Sequence, residues 1–413
     1  MIYRLSTAIR LALDSIRAHK LRSFLTVLGV VVGVASVVLV GAAIDGLGGY
    51  AENVTAKTFG SDSYLVAQIA SVGRLTGRQL ADKQRYNKRI RPEDVTYLRS
   101  ETGDRILYSP YSQRLEDIHG GNQVYEAGSV IGVSSTLPDI RDVPIQDGRF
   151  FTETEEQMRT PVAVIGQDIR DALFPSVQPI GQKIRAGGKE FVVIGLLEKQ
   201  GSSFGRSLDN PVYIPFTVFA EMYGTANGLA FFGKARTSSD LPMEDALDTT
   251  RNALRTRFHA QPGKPDNFDV LTPDSVRSFL DQILAVIAAI VVPVTLISLL
   301  VGAIVIMNIM LVSVTERTRE IGIRKSLGAR HNEIMLQFLT ESVILSLLGG
   351  LIGITSGALL AGAMTALFGT AVRITPTYII LSLFVSSTVG IVSGWYPARR
   401  AARLDPITAL RAE

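Results

Sequence analysis

The sequence predicts an α-helical membrane protein with four transmembrane helices and a large α+β extracytoplasmic domain of two lobes inserted between helices 1 and 2. Three observations predict it. Only 19% of the 413 residues are charged, below the roughly 25% usual in a soluble chain. Phe24 to Ile44, Ile283 to Val314, Ser342 to Val372 and Ile374 to Pro397 contain no Asp, Glu, Lys or Arg. Each reaches or exceeds the roughly 20 residues that carry a helix across a bilayer core. Between the first two of these stretches, residues 45–282 alternate short β-branched runs with helical patterns.

Taken in order, residues 1–23 form a cytoplasmic amphipathic helix. Ile2, Leu5, Ile9, Leu13 and Ile16 fall at helical spacing, and Arg10, Asp14 and Arg17 occupy the rest of the wheel, as in a helix lying in the membrane interface. The apolar run behind it, residues 24–44, exceeds the roughly 7–15 residues of a cleaved signal's core and reads as transmembrane helix 1. Helices 2, 3 and 4 follow at 283–314, 342–370 and 374–397. Basic residues crowd the 1–23 flank (Arg4, Arg10, Arg17, Lys20, Arg22), the 315–341 loop, and the 398–413 tail (Arg399, Arg400, Arg403, Arg411), whereas the turn between helices 3 and 4 has only Arg373. Because short basic flanks resist translocation, both termini and the 315–341 loop are predicted cytoplasmic and residues 45–282 outside.

The external segment holds candidate strands at SYLVAQ (from Ser63), PVAVIG (from Pro161), EFVVIGLL (from Glu190), PVYIPF (from Pro211) and FDVLT (from Phe268), each rich in β-branched or aromatic residues. Candidate helices are PEDVTYLRSE from Pro92 and MEDALDTTRNALRTRF from Met243. The order of signals places a β-rich lobe, about Tyr108 to Phe216, inside an α+β lobe built from both flanks. The polar tract Ser71 to Arg91 shows no periodicity and reads as a mobile loop. Thr272-Pro273-Asp274 supplies a cap, a first-turn proline and a first-turn acid. No stop follows until Val314, so the second span is the end of a helix of about 42 residues, or roughly 63 Å. Its surplus over a bilayer core of about 30 Å forms a stalk, partnered by Asp45 to Phe59, with Pro293 as a kink point.

The spans are built for packing. Gly349, Gly353, Gly357 and Ala361 make a small face at four-residue spacing, and Gly29 with Gly33 a shorter one. The uncharged stretches give no ionisable path for a proton or ion carrier. Enzyme chemistry has little support. His19, His119, His259 and His331 are scattered without metal-ligand spacing, and GQKIRAGGKE from Gly181 departs from a phosphate-binding loop and reads as a β-turn at Gly187-Gly188. No catalytic residue, metal site or nucleic-acid partner is expected, and with no cysteine no disulfide holds the outer domain.

One polar stretch stands out. ERTREIGIRKSLGAR packs Glu316, Arg317, Arg319, Glu320, Arg324, Lys325 and Arg330 between two apolar runs. Glu320 and Arg324 pair at four-residue spacing, Ile321, Ile323 and Leu327 stay partly exposed, and Gly322 and Gly328 break the helix. Exposed apolar residues ringed by charge suit a docking surface. A solvated positive-inside loop explains the arginines equally well.

TERTREIGIRKSLGAR, the glycine-rich helix after it, WYPARRAARLDPITALR, and LRSFLTVLGVVVGVASVV together resemble the MacB/FtsX superfamily of bacterial ABC transporter permeases. DGRFFTETE, VAVIGQDIRDALFP, PIGQKIRAGGKEFVVIGLL and VYIPF resemble the periplasmic core domain of its MacB branch. The resemblance implies a multi-pass protein of the bacterial cytoplasmic (inner) membrane, a non-catalytic subunit whose 316–330 stretch docks a separate ABC ATPase that binds ATP and Mg, since a full MacB-type exporter has its ATPase ahead of the first helix. It implies a homodimer, or a heterodimer with a paralogous permease, with a periplasmic adaptor as a further partner besides membrane lipid. The implied function is mechanotransmission for efflux of a peptide, drug-like or lipid-linked substrate. FtsX-like regulation of cell-wall hydrolases and lipoprotein release are the alternatives.

Overall fold

The computed structural model describes residues 20–60, 62–203, 206–226, 228–368 and 375–411. Most of the leader helix expected over 1–23, the turn at Arg373, and the end of the third span at 369–370 lie outside the described residues. The chain divides into a helical unit, up to Gly49 and again from Gln282, and an α+β unit, Tyr50–Asp281.

The helical unit opens with α1 (Lys20–Phe59), whose sequence continues past the division at Gly49. The α+β unit then runs β1 (Ser63–Ala67), α2 (Gly77–Tyr86), α3 (Pro92–Thr102), β2 (Ile106–Gly120), β3 (Gln123–Val133), α4 (Leu137–Ile140), β4 (Ile145–Gly148), α5 (Glu153–Gln157), β5 (Val162–Ile165), α6 (Gln167–Leu173), β6 (Lys183–Ala186), β7 (Lys189–Leu197), β8 (Ser202–Ser203), β9 (Arg206–Ser207), β10 (Pro211–Pro215), α7 (Phe216–Tyr223), β11 (Ala230–Ala235), α8 (Met243–Arg257) and β12 (Asp269–Leu271). After it come α9 (Pro273–Glu316), α10 (Thr318–Ser326), α11 (His331–Phe368), α12 (Pro376–Ala402) and α13 (Pro406–Arg411). Among the described residues four segments are long and apolar enough to cross a membrane: Leu28–Gly46 and the helices Pro273–Glu316, His331–Thr365 and Pro376–Ala402.

Among the described residues ten strands form one sheet in the order β12-β1-β11-β2-β3-β10-β5-β7-β4, with β6 pairing β2 and β7. Pairing is antiparallel except for β10 with β3 and β5 with β7. A two-residue turn sets the β6–β7 hairpin. Gly187 (φ +56°) and Gly188 (φ +83°) make it in the left-handed backbone that such turns require and glycine adopts without strain.

The sheet crosses the expected lobe boundary at Tyr108 without a break, because β2 pairs β11 on one side and β3 on the other. Side-chain packing is what separates. One apolar cluster comes wholly from residues 118–219, among them Ile118, Val130, Phe191 and Phe219. A second joins both flanks through Tyr64, Leu98, Tyr108, Phe231, Leu254 and Phe268. A third gathers Ile131, Tyr213 and Phe232 with Val276 from the first turn of α9, and Leu280 packs against it. That helix is therefore rooted in the core of the α+β unit.

The tract expected as a mobile loop, Ser71 to Arg91, contains α2. Its stripe is too polar to show in apolar periodicity, but Thr76 and Gln79 form a capping box: Gln79 N–H donates to Thr76 Oγ1 at 3.3 Å and Thr76 N–H to Gln79 Oε1 at 3.0 Å. Two of the donors a helix start leaves unpaired are thus satisfied.

Within the second cluster, Tyr64 and Tyr108 each bring a buried hydroxyl to within 2.6 Å of Thr250 Oγ1 on α8, which donates to the Ala246 carbonyl at 2.9 Å. Burial pushes both phenols above their ordinary pKa, so they remain protonated donors. Thr250→Val keeps shape and takes the shared partner from two buried hydroxyls. We expect it to lower the stability of the α+β unit by about 2 kcal/mol or more, read as a fall in the chemical-denaturation midpoint. Thr256→Val, at an exposed position of the same helix, should stay within about 0.5 kcal/mol of wild type.

Candidate functional site

The charged stretch between the second and third apolar helices folds as a separate short helix. α9 ends at Glu316, and Arg317 (φ −102°, ψ 14°) interrupts the ladder before α10 begins. Gly328 (φ +93°) closes the other end: its N–H donates to the Lys325 carbonyl at 3.0 Å, and Ala329 N–H to that of Arg324 at 3.0 Å. A left-handed residue here is the usual way to end a helix, and glycine takes it most easily. Gly322, expected to break the helix, is instead buried inside α10.

The helix has an anchored side and an outward side. Ile321, expected to be partly exposed, is only 4% exposed. It sits in a core with Val314, Ile334, Phe338, Ala398, Ala401 and Ala402. The sequence pattern missed this because the covering residues come from α11 and α12, far along the chain. Arg317 lies 3.6 Å from the carboxylate of Glu341, which is buried in α11. Arg324 donates to Glu320 at 2.6 Å, the pair expected from spacing, and to Gln337 at 2.7 Å. Lys325 Nζ donates to the Leu404 carbonyl at 2.6 Å, and His331 Nδ1 is 2.6 Å from the Ala402 carbonyl. Ala402 is the last residue of α12, where a helix leaves its carbonyls unpaired, and Leu404 lies two residues beyond it.

Glu316, Arg319, Glu320, Ile323, Leu327 and Arg330 are exposed. Within α10 and its cap, Arg319, Glu320, Ile323 and Leu327 recur at three- or four-residue steps and so share one face, while Glu316 and Arg330 lie beyond the breaks at its two ends. Ile323 is 45% and Leu327 84% exposed, an apolar pair ringed by charge. Beside α10 packs α13, whose Ile407 is 67% exposed. Sequence reasoning passed over Ile407; the signal was an isoleucine within the amphipathic closing run PITAL.

The glycine faces serve different neighbours. A side chain at Gly29 would stand 2.8 Å from the Gly302 Cα, and at Gly33 2.7 Å from Leu299 Cδ2, so this pair seats α1 on α9. Gly353 and Gly357 abut Val34 and Val38 of α1 at 2.8 and 3.1 Å; Gly349 and Ala361 on the same stripe are buried. A third interface was not anticipated. Gly350 meets Ser386, Gly390 meets Ser346, and Gly394 meets Ser342, with Ser386 Oγ donating to the Ser346 carbonyl at 2.5 Å. Small serines bring α11 and α12 together while satisfying their own hydroxyls on backbone carbonyls.

Two family models match the chain, the MacB-like periplasmic core domain over residues 23–253 and the FtsX-like permease C-terminal over residues 279–406. The chain belongs to the MacB/FtsX family of ABC transporter permeases. It is similar to the uncharacterized ABC transporter permease YknZ of Bacillus subtilis, 31% identical over 98% of both chains. It is also 32% identical to the macrolide export ATP-binding/permease protein MacB of Psychrobacter arcticus, over 99% of this chain and 60% of that one. The chain thus spans about 60% of the MacB relatives' length. The periplasmic region of MacB from Actinobacillus actinomycetemcomitans aligns with a TM-score of 0.44 at 16% identity, covering 55% of this chain and 95% of that one. A MacB/FtsX-type permease with four apolar helices fits an inner-membrane protein.

The packing makes a selective prediction. Gly353→Ile would drive its Cβ to 2.9 Å from the Val31 carbonyl oxygen, overpacking by about 1–3 kcal/mol. Gly362→Ile has open space. In detergent, thermal unfolding of the helical unit should fall for the first and stay near wild type for the second.

Proposed function

We propose that this chain is the permease subunit that couples ATP hydrolysis on a separate ATPase to movement of its α+β domain, in the service of exporting a peptide, drug-like or lipid-linked substrate. The observation that carries the reading is the two-sided helix α10. Ile321 in the core, Arg317 against Glu341 and Lys325 on Leu404 fasten it to α11 and α12, while Ile323 and Leu327 face outward. A loop that only needed solvation would have no use for exposed leucine and isoleucine on a rigid mount. A surface that must pass force needs both an apolar contact and a stiff backing.

In this reading α10 faces the cytoplasm, ATP and Mg belong to the ATPase, and two permease chains pair so that two ATPase subunits close together. The motion passes along α9, whose helix begins in the α+β core at Val276 and continues to Glu316. The α+β domain works as two lobes on a shared sheet, a reading supported by its separate apolar clusters, and a periplasmic adaptor receives the cargo. The name of the MacB relatives supports macrolide-like cargo as one candidate class.

The test is co-purification of ATPase activity. Ile323→Asp with Leu327→Asp places two carboxylates in the centre of the contact, where desolvating each costs several kcal/mol. The variant should fold and insert normally yet lose the ATP hydrolysis that accompanies the tagged wild-type chain from native membranes. Undiminished hydrolysis with the double variant would sink the docking assignment.

A further inference from the structure

An open groove of about 770 Å³ in the α+β unit is lined by Arg85, Lys88, Arg257, His259 and Lys264, with Tyr86 and Phe258 as aromatic walls. Its volume lies in the range typical of small-ligand sites. No carboxylate lines it. Three acids on the surrounding elements are held by other bases: Asp94 by Arg257 at 3.1 Å, Asp266 by Arg251 at 3.0 Å and Arg255 at 2.5 Å, and Asp269 by Lys83 at 2.6 Å. Arg85, Lys88 and Lys264 remain, exposed and with no side-chain hydrogen bond or ion pair among the described residues.

The groove is also fixed in shape. Arg255 donates to the carbonyls of Lys264 and Gln261 at 3.1 Å each, Tyr86 donates its hydroxyl to the Pro265 carbonyl at 2.9 Å, and Lys88 N–H donates to the Asn267 carbonyl at 2.7 Å. His259, in the left-handed backbone at φ +50°, turns the chain out of α8 and along the rim. At the wall, Asn267 is buried and its amide Nδ2 donates to the Phe258 carbonyl at 3.4 Å, which ties the groove floor to the end of α8. Basic residues at helix C-termini often do no more than offset the helix dipole. That accounts for Arg85 at the end of α2 and Arg257 at the end of α8, but Lys88 and Lys264 lie outside any helix.

We propose that this groove binds a phosphate-bearing ligand with a flat apolar body, the phosphate on Arg85, Lys88 and Lys264 and the body against Tyr86 and Phe258. A phosphomonoester has about 1.5 to 2 negative charges and three acceptor oxygens near neutral pH, which matches three unpaired cations better than one carboxylate does. The site is independent of the ATPase, so its failure would leave the docking proposal untouched.

The test uses the full chain in phosphatidylcholine nanodiscs, titrated with 1-naphthyl phosphate and read by the anisotropy of the naphthyl fluorescence. We expect one saturable site with affinity between the micromolar and millimolar limits, competed by inorganic phosphate and weakened by added salt. Arg85→Gln, Lys88→Gln and Lys264→Gln combined should weaken it about tenfold or more, since each lost contact is charge-assisted, with thermal unfolding near wild type because these side chains make no hydrogen bond or ion pair among the described residues and only Arg85 faces a helix end. Replacing part of the phosphatidylcholine by phosphatidylglycerol separates the sources. Competition by the anionic lipid would assign the groove to a lipid headgroup, and undisturbed binding would assign it to a soluble phosphate ester. Absence of saturable binding in phosphatidylcholine, or equal affinity in the triple variant, would overturn the proposal.

Discussion

The structure depends on the continuity of one long helix, α9. Inside a bilayer no water is available to a free N–H or C=O, so a crossing segment must pair every backbone group internally. This helix runs over 44 residues, with Pro293 as the one position inside it that has no N–H to give the ladder, and reaches about 66 Å at 1.5 Å per residue, roughly twice what a hydrocarbon core requires. Its start is tied off by Thr272 and Ser275, which exchange backbone-to-hydroxyl bonds of 2.9 and 3.2 Å. Val276 and Leu280 then root the first turns in an apolar core. One continuous helix thus belongs to the α+β unit at its start and to the helical unit for the rest of its length.

At its far end the helix is not allowed to continue. Arg317 breaks it, and the break is stabilised by an interaction costly to replace. A carboxylate as buried as Glu341 needs a partner or loses its charge, and Arg317 lies beside it. The direction of α10 is therefore set at its start by this buried ion pair and at its end by Lys325, which reaches the Leu404 carbonyl. What this leaves outward is a short, stiff ridge bearing Ile323 and Leu327.

Much of this was legible in the sequence, for definite reasons. The spans show because lipid tolerates almost no charge, and β1, β5 and β10 show because strands covered on both faces concentrate apolar, β-branched residues. The start of α9 was written in Thr272-Pro273-Asp274, and its length in the lack of any later stop. Local patterns failed where long-range contacts decided the outcome. Ile321 and Ile323 are each flanked by Gly322 and one charged residue, and only the packing of Phe338 and Ala398 separates the core residue from the surface one. β2 carries Pro110 inside a fifteen-residue strand, which argues against a central strand by local rule, yet it is paired on both sides. The Ser342, Ser346 and Ser386 contacts went unread because serine in an apolar run gives no periodic signal. α2 was hidden for the opposite reason, since nearly all of it is polar, and its Thr76–Gln79 box is what marks it.

The central claim is that stiffness in α9, more than side-chain chemistry, carries motion between the units. The cysteine-free chain allows spin labels to be placed at Asp104→Cys in the α+β unit and Gly362→Cys in the helical unit, and their separation followed by pulsed electron resonance in the ATPase-bound complex with and without ATP and vanadate. Ser278 is exposed within the first turns of α9. Proline there removes a backbone hydrogen bond and clashes with the preceding turn, at about 3 kcal/mol, whereas alanine preserves the ladder. The account predicts that ATP shifts the label separation in the wild-type and Ser278→Ala chains and leaves it unchanged in Ser278→Pro, with ATPase binding intact in all three. An equal shift in the proline and alanine chains would contradict it.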